Sequence, residues 1–141
     1  MNVPARSRLD DIAQALSIPR VERHIFLCAD QTTPKCAPGE VTGALWKHLK
    51  KRLKQAGLAS APPAWSGTEG YGPVEPGCGS VLRTKVDCLR ICEQGAIAVV
   101  YPDGTWYAHL DIERLDRIID EHLIGGRPVE EWVFARTGAD R

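Results

Sequence analysis

Two pairs of cysteines constrain this chain more than anything else in it: Cys28 and Cys36, separated by seven residues, and Cys88 and Cys92, separated by three. The N-terminus lacks the long apolar centre of a secretion signal, so a reducing, cytoplasmic compartment is the expectation. There, paired cysteines bind metal or do redox chemistry rather than form a disulfide framework. Any fold that serves them must bring together two loops that a helical segment separates.

Length and charge narrow the field. A chain of 141 residues suits one compact domain with its own apolar core, with no need of disulfide staples. Lys plus Arg and Asp plus Glu number 18 each, so no overall basic excess argues for a nucleic-acid partner, and no RNA- or DNA-reading motif is present. The longest strongly apolar run, 96–101, is far too short to cross a bilayer, which excludes membrane insertion by that route.

Residues 1–20 read as an appended helix. Leu9, Ile12, Ala13 and Leu16 share a helical face, Ser7 and Asp10 are placed as a capping pair, and Pro19 is a stop. The domain proper, 21–135, begins with the apolar run 24–28, a strand that ends at Cys28 and feeds a polar, proline-containing loop. A helix over 41–56 follows, with Val41, Leu45, Leu49, Leu53 and Ala56 on one face and Lys47, Lys50, Lys51 and Lys54 opposite. That basic stripe either is simply solvated or steers an acidic redox partner.

Residues 57–79 are rich in glycine and proline without a period, and predict a long loop. A strand over 80–86 leads into Cys88-Leu89-Arg90-Ile91-Cys92; coiled into a helical turn, that segment would put both sulfurs on one side. Strands over 96–101 and 105–109, joined by Pro102-Asp103-Gly104, predict a hairpin. Ile112, Leu115, Ile118, Ile119 and Leu123 then mark a last helix, closed by Gly125 and Gly126, and 136–141 is expected to be a flexible tail. The order strand, helix, strand, strand, strand, helix fits an α/β fold: a thioredoxin-like mixed sheet flanked by helices, with an N-terminal helical extension.

On the residues alone, the four cysteines admit an iron-sulfur cluster or a structural four-cysteine zinc module, although seven residues between Cys28 and Cys36 exceed the usual zinc-ligand spacing of about two to four. A thiol-disulfide oxidoreductase is disfavoured, since no Cys-x-x-Cys follows the first strand.

The run Val99-Val100-Tyr101-Pro102-Asp103-Gly104-Thr105-Trp106-Tyr107, preceded by Cys88-x3-Cys92 and followed by His122-Leu123-Ile124-Gly125-Gly126-Arg127-Pro128-Val129, resembles the thioredoxin-like 2Fe-2S ferredoxins. The same fold occurs in a small iron-sulfur subunit of respiratory complex I. The resemblance covers roughly 22–134 and is strongest after Cys88. It implies Cys28, Cys36, Cys88 and Cys92 as the ligands of one 2Fe-2S cluster; proximity in sequence then pairs Cys28 with Cys36 and Cys88 with Cys92, one pair per iron, and cysteine at all four sites predicts a low potential. It also implies a one-electron carrier rather than an enzyme, with redox partner proteins (a reductase and an acceptor) and a homodimer. The alternatives are the zinc module and a redox-sensing regulatory protein.

Two features depart from the family pattern. Gly95-Ala96 stands where relatives commonly have Gly-Pro, and the stretch 57–79 is longer than usual. Backbone N–H groups of the cysteine loops, Gly95 included, are expected to donate to sulfur. Cys78 falls outside the ligand pattern and reads as a free thiol, and His24, His48, His109 and His122 share no ligand spacing. Between 103 and 131, eight acids face three arginines, opposite in sign to the lysine stripe. The molecule is therefore expected to be dipolar.

Overall fold

The structure is a computed structural model that describes residues 5–60 and 79–139. Cys78 and most of the expected long loop lie outside the described residues.

Helix α1 (Ala5–Ala15) opens the chain and hands over to a 3-10 turn at Ile18–Arg20. It already includes Ser7, so the expected cap lies inside the helix, and Leu9 of the expected packing face is 63% exposed while Ala15 is buried. Strand β1 (Arg23–Cys28) and β2 (Val81–Val86) are parallel neighbours, joined through helix α2 (Gly39–Gln55). Strands β3 (Ala98–Tyr101) and β4 (Thr105–Tyr107) form the expected hairpin, and β3 pairs antiparallel with β1. Gly104, at φ +69, makes the turn, where a Cβ would stand 2.7 Å from that of Thr137.

The sheet has five strands in the order β2-β1-β3-β4-β5, one more than the sequence predicts. The extra strand β5 (Val133–Arg136) pairs antiparallel with β4 across a register shift at Trp106/Tyr107. Residues assigned to a free tail are tied down as well: Thr137 Oγ1 accepts from the Trp106 indole at 3.0 Å, and its N–H donates to Gly104 O at 2.9 Å.

Alternation along β1 sorts the two faces. Ile25 and Leu27 turn towards the helices, where they meet Leu45, Leu49 and Leu53 of α2 in a fully buried core. Thr42, rather than Val41, starts the buried line of α2. On the other face His24 stacks on Phe26, with ring centroids 4.1 Å apart, and Phe26 meets Tyr101 edge-on.

Helix α3 (Ile112–Ile118) starts where Asp111 accepts from the Arg114 N–H at 2.7 Å, an N-cap that fixes the first turn. It continues as a wider π-helical stretch, Ile119–Ile124, that carries His122 inward. His122 is fully buried between the Tyr107 hydroxyl (2.8 Å) and Asp103 (2.7 Å). Between the helices, Asp116 accepts from His48 and Arg52, and Arg52 reaches on to Asp120. Because β1 and β2 are parallel, both end at one pole of the molecule, and the cysteine loops leave from there.

Candidate metal centre

All four cysteines of the two pairs line one open cavity of about 460 Å³, together with Gln31, Thr32, Lys35, Asp87 and Ile91. Cys28 is the last residue of β1 and is buried; Cys36 is half-buried in the following loop; Cys88 and Cys92 are exposed. All four are free thiols. The Cys28 and Cys36 thiols stand within hydrogen-bonding reach of each other. Burial, with the neighbouring Cys36 and Cys88 adding to it, pushes the Cys28 thiol up to about 11.

The Cys88–Cys92 segment is not the helical turn that its spacing predicts. It is an irregular loop with Arg90 in the left-handed region at φ 70, so tertiary contacts rather than helix periodicity gather the sulfurs. Two clasps hold this loop to the first one. Thr32 donates to both carboxylate oxygens of Asp87, from its N–H at 2.9 Å and its hydroxyl at 2.7 Å, and these bonds hold the Asp87 carboxyl below the usual range. On the other side, the Gly95 N–H donates to the Cys36 carbonyl at 2.8 Å.

Gly95 thus serves the ligand loop differently from the expectation, because its N–H meets a backbone oxygen and not a sulfur. Its essential feature is size: a Cβ there would lie 2.7 Å from Cys36 Cβ. The donors to sulfur are others. The Leu89 N–H serves Cys28, the Arg90 N–H serves Cys88 at 3.1 Å, and the Gln31 side-chain amide serves Cys36 at 3.4 Å. Gln31 is itself aimed by Thr42, whose hydroxyl donates to Gln31 Oε1 at 3.0 Å. Gln31, Thr32, Thr42 and Asp87 escape sequence reasoning, since neither residue type nor spacing marks them; only the closeness of polar residues to ligand positions hints at them.

The donor set is chemically narrow. Four thiols, with hydrogen-bond donors placed for anionic sulfur, suit a thiophilic metal group. Among the described residues, no three His, Cys, Asp or Glu side chains gather closely enough to hold a single metal ion. The histidines stay apart from the cavity: His24 bonds Thr84, His48 bonds Asp116 and His109 bonds Gln94.

No family model matches the chain. A 2Fe-2S ferredoxin of Aquifex aeolicus (strain VF5) is 43% identical over 117 residues, which cover 81% of this chain and 90% of that protein. A 2Fe-2S ferredoxin of Clostridium pasteurianum is 36% identical over 50 residues, 36% of this chain and 49% of that protein. The wild-type thioredoxin-like [2Fe-2S] ferredoxin from Aquifex aeolicus superposes with a TM-score of 0.59 over 82% of this chain and 99% of that one. The superposition pairs identical residues at 23% of positions, well below the 43% of the sequence match, and establishes the fold alone.

Proposed function

The chain belongs to the thioredoxin-like 2Fe-2S ferredoxin family, and we propose that it carries single electrons on one 2Fe-2S cluster held by Cys28, Cys36, Cys88 and Cys92. The observation that carries this reading is the meeting of all four thiols in one cavity between two clasped loops. When bound, such a cluster supplies a one-electron couple and no bond-making chemistry, so the protein is a carrier rather than an enzyme.

Each part of the site then has a task. Cys28, Cys36, Cys88 and Cys92 would hold the cluster as thiolates, and proximity in sequence would pair Cys28 with Cys36 and Cys88 with Cys92. The donors from Gln31, Leu89 and Arg90 moderate the negative charge on sulfur. All-cysteine ligation places the potential nearer the plant-type value of about −400 mV than the Rieske range. Burial of Cys28 and exposure of Cys88 and Cys92 make the second pair the edge through which electrons enter and leave. A structural four-cysteine zinc site is the alternative, against which stand the seven residues between Cys28 and Cys36, more than the usual zinc-ligand spacing of about two to four.

The test is the visible and low-temperature electron paramagnetic resonance spectrum of anaerobically purified protein before and after dithionite, with iron, sulfide and zinc measured on the same sample. About two irons and two sulfides per chain, with a spin-half signal on reduction, are expected. A colourless sample holding one zinc overturns the reading. The proposal extends to cytoplasmic residence and to pairing of two copies, as the family implies; sedimentation velocity should then give twice the 15.5 kDa chain mass. No described helix is long and apolar enough to cross a membrane.

A further inference from the structure

Charge is unevenly spent over the described residues. The acids of 103–131 are largely engaged: Asp103 with His122, Asp116 and Asp120 with Arg52, Glu121 and Glu131 with Arg117, and Glu130 with Arg136. On the basic flank beside the cysteine loops only Lys85 has an ion pair among the described residues. Lys35 lines the cavity, and Lys47 and Lys50 stand exposed on α2 within electrostatic reach of Asp30. Asp30, two residues beyond Cys28, is taken by Lys85 at 2.5 Å. Arg83 completes the flank; its guanidinium is partly buried over the Trp46 ring, at 5.6 Å, and its buried Nε has no hydrogen-bond partner. A cation that gives up water without gaining an anion is left short of a counter-charge.

We propose that the flank formed by Lys35, Lys47, Lys50, Arg83 and Lys85 is the docking surface for a redox protein that presents an acidic face. The inference rests on the electron-carrier reading and adds the partner's chemistry to it. Among the described residues only Lys85 of the five makes an ion pair, with Asp30, and the nearby Asp87 carboxylate is bonded by Thr32. Lys35 lines the cavity and Lys85 holds Asp30, two residues beyond Cys28, so an acidic partner drawn to the flank is brought towards the exposed Cys88 and Cys92, and charge steering raises the encounter rate without requiring tight binding. A nucleic acid fits less well. Trp46 packs against the core with Lys50 and Arg83 over its ring, which leaves no platform for a base to stack on. Protection of the β2 edge explains Arg83 and Lys85 but not Lys35, Lys47 and Lys50, which lie off that strand.

The test compares the holoprotein with two double variants of equal charge change: Lys47→Glu with Lys50→Glu on the flank, and Arg20→Glu with Arg127→Glu at exposed positions of the opposite pole. The probe is a polyglutamate peptide of about twenty residues, titrated by calorimetry in low and in moderate salt. Wild-type affinity should fall about tenfold between about 20 and 200 mM salt, the flank variant should lose about tenfold at low salt, and the distal variant should stay within about twofold. Equal losses in both variants, or none in the flank variant, overturn the proposal. So does an oligonucleotide of equal charge that binds more tightly than the peptide and is released by the flank variant. A second arm measures oxidation of the dithionite-reduced protein, one electron passing to an anionic cobalt(III) chelate to give cobalt(II). The flank variant should slow it several-fold and the distal variant should not. Iron and sulfide are assayed on the same samples. Their absence would defeat the cluster reading while the peptide titration still decides whether the flank is a docking surface.

Discussion

At Gly95 a methyl group has nowhere to go: it would lie 2.7 Å from the Cys36 Cβ and as close to the Cys36 carbonyl oxygen. Gly95→Ala must therefore displace the first ligand loop. The expected result is a loss of about 1–3 kcal/mol in urea unfolding together with a fall in iron per chain. The ligands themselves are separable by the same assay. Cys88→Ala should lose most of its cluster iron, whereas Cys78→Ala should keep about two irons per chain; an iron-free Cys78→Ala protein would show that the ligand set is misassigned. These two cysteines also mark how far residue-level reading reaches. The four candidate ligand positions stand out by type and spacing, but the clasp between Thr32 and Asp87 joins residues far apart in sequence, through side chains that occur everywhere on protein surfaces. Only the fold makes them a pair.

Elements were legible where burial was strong and obscure where it was weak. Helix α2 and the β3–β4 hairpin follow from apolar periodicity, since Leu45, Leu49, Leu53 and Val100 are fully or almost fully buried. Strand β5 carries little such signal, because Phe134, Ala135 and Arg136 are exposed and no alternation survives at a sheet edge. The π-helical stretch is equally silent in sequence, yet it sets the one buried histidine among the described residues. The Val129 N–H donates to the Tyr107 hydroxyl, whose proton goes to His122 Nδ1, so Nε2 carries the ring proton and donates to Asp103. Burial holds His122 below its usual value near 6.5 despite Asp103, and burial does the same to His24. The unfolded chain then binds more protons than the folded one below about pH 6.5, so this contribution is complete above that pH and is lost as pH falls through the folded values. Urea midpoints from pH 8 to 5 should decline in that window, less steeply in His122→Gln. His122→Ala should cost roughly 2–4 kcal/mol, through a cavity and unpaired Tyr107 and Asp103.

Across the whole molecule, chemistry and architecture sit at opposite poles. The cysteine loops leave the C-terminal ends of β1 and β2, while at the N-terminal end of β2 the chain on either side of 61–78 is pinched shut. The Ser60 hydroxyl accepts from the Gly79 N–H at 3.1 Å, and Ser80 donates to Leu58 O at 2.8 Å. Gly79 is seated so closely that a Cβ would come 2.5 Å from Leu58 O. About 17–20 Å of strand separates that closure from the cysteine loops. Replacing 61–78 with a short Gly-Ser linker should therefore leave iron per chain unchanged, and a cluster lost by that replacement would mean that the stretch contributes to the site. Changing the length of a closed loop costs little, about 0.6 kcal/mol per doubling. The pinch is in effect a socket: a fluorophore, an affinity handle or an electrode tether spliced between Ser60 and Gly79 would point the electron-bearing pole away from its support and towards whatever it is to meet.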